Sequence, residues 1–386
     1  GVAIQDTMTQ IFVATAGSGV TATVDFGQSG FTPSQTGYKA LSTDNLDDPI
    51  IIDPSKYFQS TTYTGNGSTQ SINQSGNNTF QPDWVWIKNR DAADSHIWTD
   101  AVRGATKIME CNDADAEVTD ADTLTDFESD GFALGGDDKV NTNTENYIAW
   151  QWKANGAGSS NEDGTINTTA TSVNTTTGVS ISTYTGTGSN ATVGHGLGVA
   201  PKMVIVKRRN TSESWRVWHT ALTDGSYFLN LENNDGQASI AAIWNSTAPT
   251  SSVVSVGTNG STNGSGDTHV MYAFADVEGF SKFGTYTGNA NADGAFVYTG
   301  FKPAFLMYKV VSTTDNWEIY DDKRPGFNVQ GEQLKANLSN AETNDTRVDI
   351  LSNGFKARSS NTAVNASQTY LFMAFAETPF KTATAR

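Results

Sequence analysis

One heptapeptide pattern occurs three times in this chain and constrains its fold more than any other feature. Pro82-Asp83-Trp84-Val85-Trp86-Ile87-Lys88 returns as Pro201-Lys202-Met203-Val204-Ile205-Val206-Lys207 and as Pro303-Ala304-Phe305-Leu306-Met307-Tyr308-Lys309. A proline opens each run at a turn, where its missing N–H costs nothing, and a lysine closes it. A short apolar run bounded in this way suits a buried strand, which we read as the central strand of a repeated module.

Flanking landmarks keep the same register. Tyr63-Thr64-Gly65, Tyr184-Thr185-Gly186 and Tyr286-Thr287-Gly288 precede the three prolines, and Trp98, Trp215 with Trp218, and Trp317 with Tyr320 follow the three lysines. Each copy ends on an alternating strand: Tyr147-Ile148-Ala149-Trp150-Gln151-Trp152, His269-Val270-Met271-Tyr272-Ala273-Phe274 and Tyr370-Leu371-Phe372-Met373-Ala374-Phe375. From the tyrosine of Tyr-Thr-Gly to the last aromatic the spans are 89, 90 and 89 residues. Self-similarity at that period implies tandem copies of one module, each large enough for its own core. The expectation is three independent β-sandwiches strung in line.

No stretch has sustained helical periodicity, and Gly, Asn, Asp, Ser and Thr punctuate the chain every eight to twelve residues. That spacing predicts an all-β fold of antiparallel, jelly-roll-like sandwiches. The repeats are placed at 50–154, 179–280 and 281–386. Residues 155–178, rich in Gly, Ser, Thr and Asn, read as a linker. Residues 1–49 do not match the repeat and read as a β leader, with strands at Thr7–Val13 and Val20–Phe26. The start at Gly1-Val2-Ala3, without methionine, is expected of a fragment or processed form, and the end from Lys381 reads as a frayed tail.

A formal charge of −17 argues against a nucleic-acid backbone or an anionic membrane as partner. Cys111 stands alone, so neither an internal disulfide nor a cysteine metal cluster is expected. The nucleophile elbow, the phosphate loop and the zinc-protease helix have no match, and the four histidines fall at unrelated repeat positions. We therefore expect a protein without catalytic residues or an obligate cofactor. One acidic run, Asp113, Asp115 and Glu117 with Asp120, Asp122 and Asp126, offers alternate carboxylates to a Ca²⁺, set against the plainer reading of a solvated loop.

Aromatics are the better binding candidates. Trp84 and Trp86 lie on one face of their strand and Val85 and Ile87 on the other, so one tryptophan-bearing face must be covered or used. Core packing competes there with a sugar-stacking platform or an interface. Trp215, Arg216 and Trp218, with Lys207, Arg208 and Arg209, form a basic-aromatic patch on an acidic chain, suited to an acidic glycan or a partner's carboxylates. The recurring lysines read as strand-end solubility devices.

Two resemblances follow from these residues. Phe26-Gly27-Gln28, then Phe31, Pro33 and Gly37-Tyr38-Lys39-Ala40-Leu41, resembles the closing strand of a SPRY-type β-sandwich. The block from Tyr63-Thr64-Gly65 through Asn89-Arg90, Asp100-Ala101-Val102-Arg103-Gly104 and Asp130-Gly131-Phe132 to Trp152-Lys153 is similar to a module of unassigned role in tail-fibre and appendage proteins of marine bacteriophages. The other two copies are degenerate and read as lacking the Asn-Arg and Asp-x-x-Arg-Gly elements. The resemblance implies a virion structural protein, displayed as a homotrimer beside other virion proteins and contacting a host-surface glycan or receptor. A spacer or capsid decoration, a polysaccharide depolymerase with two carboxylates across a groove, and a bacterial surface adhesin are the alternatives.

Overall fold

Each heptapeptide does form a central strand: Trp84–Asn89, Met203–Arg208 and Phe305–Val310. The structure, a computed structural model, describes residues 49–378. The leader with its SPRY-like segment and the tail from Lys381 lie outside the described residues.

In every copy the central strand sits between a closing strand and a flanking strand, and an opening strand pairs with the far side of the closing one. The opening strands are Phe58–Thr64, Val179–Thr185 and Ser281–Thr287; the closing strands are Asn146–Trp152, Thr268–Phe274 and Thr369–Phe375. The flanking strands are Ile97–Asp100, Arg216–His219 and Glu318–Asp321. All these pairings are antiparallel, and the registers correspond: Trp84 faces Trp152, Met203 faces Phe274 and Phe305 faces Phe375. The residue after each proline donates its N–H to the end of the closing strand, to the carbonyls of Trp152, Phe274 and Phe375 at 2.7–2.8 Å. The proline thus sits where the chain enters the sheet. The described residues are all-β, three antiparallel β-sandwiches with outer strands folded over one face of each sheet.

Tyr-Thr-Gly acquires a physical reason. The tyrosine hydroxyl donates to the carbonyls of Val140, Thr262 and Val364 in the three copies, at 2.6–2.7 Å. These carbonyls belong to a short turn before the closing strand. The glycine then lies so close to the same turn that a Cβ on Gly65, Gly186 or Gly288 would fall 2.1, 2.3 or 2.0 Å from a backbone oxygen. Nothing larger fits. A buried asparagine in that turn, Asn141, Asn263 or Asn365, accepts the N–H that follows the glycine, from Asn66, Thr187 or Asn289.

The in-line arrangement is corrected by the core. Alternation sends Val85 and Ile87 into the first sandwich's own core, with Ile72, Leu124 and Phe132. It sends Trp84 and Trp86 to the opposite face, into a second core built jointly by all three copies. Trp84, Trp152, Phe274, Phe305 and Phe375 lie in this shared core and are buried. Ring centroids are 4.0 Å apart for Trp84–Trp152, 5.7 Å for Trp84–Phe274, 5.5 Å for Trp152–Phe305 and 6.4 Å for Phe274–Phe375. Residues from Pro49 onward consequently form one unit rather than three separate ones.

Residues 155–178 are not a free linker. They contain the strand Ala170–Asn174, which pairs with the opening strand of the second copy, and Ile166 bridges to Val193. Alternating Thr, Ser and Asn is poor in apolar signal, yet its backbone groups complete the sheet edge.

Candidate functional site

Buried ion pairs and indole hydrogen bonds join the three copies at the seams between them. At the seam of the first and second, Arg103 lies in the turn after its flanking strand and donates from Nε to Asp100 at 2.5 Å and from Nη1 to Glu117 at 3.2 Å. Asp100 also accepts the hydroxyl of Tyr272 from the second copy at 2.7 Å, and Arg209 of that copy donates to both oxygens of Glu117. Burial alone works against the Arg103 charge. Asp100, Tyr272 and Glu117 reverse that and hold the guanidinium above its ordinary range.

The seam of the third and first copies repeats this position by position. Arg324 donates to Asp321 at 2.7 Å and to Glu342 at 2.8 Å, Trp150 Nε1 donates to Asp321 at 3.1 Å, and Arg90 donates to Glu342. In the remaining seam His219 and Leu222 stand where the aspartate and arginine stood. A main-chain bond from the Gln237 N–H to the Val311 carbonyl at 2.7 Å persists, matching Glu117 to Arg209 and Glu342 to Arg90. Three directional seams close a ring around a pseudo-threefold axis.

The candidates named from the sequence fall into this framework. Trp84 and Trp86 are fully buried, with Trp86 Nε1 donating to His96 Nδ1 at 2.9 Å, so neither offers a sugar-stacking face. Trp215 is buried in the shared core and donates to the Asp113 carbonyl of the first copy at 2.9 Å; Trp317 does the same to Asn230 of the second. Trp218 packs on the opposite face, in the second copy's own core. The basic-aromatic patch is thus split between two cores. A count by twos along the strand separates Trp215 from Trp218. Arg216 lies over the Phe228 ring at 4.8 Å and donates to Asn230 and Ser261, while Arg208 pairs with Asp267 at 2.7 Å.

Asp113 and Asp115 are exposed, and Glu117 is turned towards Arg103 and Arg209 rather than towards its acidic neighbours. Hydrogen bonds to those guanidinium groups hold Glu117 below the usual carboxylate range against the effect of burial. Among the described residues no group of three or more acidic, histidine or cysteine side chains has metal-holding geometry.

Lys88, Lys207 and Lys309 are not solvated strand ends. Each is fully buried, its ammonium donating to carbonyls of the loop that follows or of the neighbouring copy. Lys88 reaches Asn89 at 2.6 Å and Ala92 at 3.1 Å, Lys207 reaches Glu213 and, across the seam, Ala114 at 2.6 Å, and Lys309 reaches Val310 at 2.8 Å. Burial brings each down to about 8.

The aspartate–arginine locks are what sequence reading missed. Asp321-Asp322-Lys323-Arg324 carries the Asp-x-x-Arg element of the first copy in the third, with the glycine displaced by Pro325 to Gly326. That spacing was legible. Which carboxylate would close on Arg209 or Arg90 was not, because the partners are 92 and 252 residues away.

A family described as a domain of unknown function (DUF7483) matches residues 53–379. The chain belongs to that family. The match starts just before the first opening strand and runs past the last closing strand, so the DUF7483 domain here spans all three sandwiches and the shared core. No curated protein matches the chain.

Proposed function

We propose that this DUF7483 protein is a non-catalytic structural module of a bacteriophage virion appendage, holding a surface rigidly towards the host cell for attachment. One observation carries the reading: buried indoles, a buried tyrosine hydroxyl and arginine–carboxylate pairs tie each sandwich to its neighbours. Glu117 pairs with Arg209 of the second copy and Glu342 with Arg90 of the first, and the indoles of Trp150, Trp215 and Trp317 reach across seams. Such an arrangement supplies stiffness and fixed orientation rather than a solvent-filled reaction site. The chain's acidity suits display in solution.

Gold-labelled antibody against this chain, applied to particles of a phage that encodes it, is expected to decorate the tail or its fibres, and purified protein is expected to compete with those particles for host cells. Unlabelled particles overturn the reading. So does shortening of host capsular polysaccharide by the protein alone, which would favour a depolymerase.

A further inference from the structure

The three sandwiches serve as controls for one another at the edge of the outer layer. Each has a short edge strand whose middle residue points inward: Ile72, Val193 and Val297 are buried. Its partners are Phe132, Val254 and Phe355. The edge strands correspond closely, since Gln74, His195 and Thr299 all donate to the far strand in the same place, to Asp130, Ser252 and Asn353.

The outward residues differ. In the first copy they are Ser71 and Asn73, tied to the acidic side chains of Glu128 and Asp130, which blunts the edge with charge. In the second they are Thr192 and Gly194, and the chain covers that edge itself: the Ile166 N–H donates to the Thr192 carbonyl at 2.9 Å. In the third they are Phe296 and Tyr298, 49% and 62% exposed. Among the described residues no strand pairs with their outer side, where the sheet order ends.

The backbone of that edge is set to pair. Ala357 donates to Ala295 and Thr299 to Asn353, so the inward-bonded positions are the odd ones, and the N–H and C=O of Phe296 and Tyr298 point away from the sheet. The Phe296 carbonyl occupies the place of the Thr192 carbonyl that accepts a strand in the second copy. Charge at this face is balanced two against two: Lys356 pairs with Asp293 at 2.5 Å and Arg358 with Asp349. On a chain of −17 it is a face where a like-charged copy meets little local repulsion.

We propose that Phe296–Tyr298 is a self-association edge, pairing antiparallel with the same strand of a second copy and burying the four aromatic rings together. Isologous pairing about Val297 sets Phe296 against Tyr298 of the second copy twice. The inference is independent of the phage reading.

Sedimentation equilibrium on the whole chain, over a series reaching about 100 µM, is expected to show a monomer–dimer equilibrium. Phe296→Pro removes an outward N–H and an exposed ring while leaving the inward-bonded positions intact, and Tyr298→Lys replaces the other ring with a charge; each is expected to return the monomer with an unchanged melting temperature. A chain that stays monomeric throughout overturns the proposal, as does a dimer that survives both substitutions.

Discussion

Tyr272 donates its hydroxyl to Asp100 across a seam, and the same carboxylate holds Arg103. In the third copy Asp321 receives Trp150 and holds Arg324 in the same way. A donor on the closing strand of one sandwich therefore finishes the ion pair of the next, and two of the three seams are polar locks.

Removing one partner from such a lock leaves a buried charge. Arg103→Met is expected to cost about 3–5 kcal/mol in denaturant unfolding, and Tyr272→Phe about 1 kcal/mol. Leu222→Ala at the equivalent place in the third seam lacks the charge penalty and is expected to cost about 2–3 kcal/mol through lost packing. An Arg103→Met loss below that of Tyr272→Phe would remove the lock from the argument.

Overpacking should be felt where Tyr-Thr-Gly meets its turn. Gly288→Ala puts a methyl 2.0 Å from the Ala366 oxygen and is expected to destabilise by about 1–3 kcal/mol. Gly104→Ala meets nothing within 4 Å, but its φ of 98° strains any side chain, so a smaller loss of about 1 kcal/mol is expected. Paired melting curves make the comparison.

Acid should weaken the fold through its buried histidines. Burial carries His219 down from 6.5 to about 3 and lowers His96 as well. A folded-state value below the unfolded one means that the unfolded chain binds the extra proton, so stability falls as pH drops from about 6.5 towards 3. Glu318, brought up to about 7 by burial, works in the opposite direction between about 4.5 and 7. The informative measurement is thus the difference between wild type and His219→Asn. Asparagine can accept the Ala221 N–H as His219 Nδ1 does. The variant's melting temperature is expected to fall less steeply with acid; identical slopes refute the assignment.

The three buried lysines predict a signature at the alkaline end. Their folded-state values near 8 lie below the ordinary 10.5, so the unfolded chain holds more protons between these limits and stability rises with pH there. In carbon-13 NMR of lysine-labelled protein, three ε-carbon signals are expected to titrate near pH 8 and to vanish one at a time in Lys88→Met, Lys207→Met and Lys309→Met. Titration of every lysine above pH 10 would count against it.

Much of the fold was readable from local pattern. The prolines, the Tyr-Thr-Gly triplets and the closing alternation located three equivalent sheets, and parity placed Trp84 and Trp86 on one face with Val85 and Ile87 on the other. The same parity, applied to Trp215 and Trp218, separates them; reading them as one patch ignored it. The lysines misled because a charged residue at a strand end is ordinarily solvated, and the carbonyls that hold Lys207 come partly from another copy.

The sequence by itself determined how many sandwiches there are, where their strands lie and which faces are apolar, because these follow from turn chemistry and a period of two within a few residues. Only the tertiary structure decided what covers the tryptophan faces. Closing a ring buries all three such faces against each other, and that choice depends on contacts between residues about a hundred or more positions apart, which no local periodicity records.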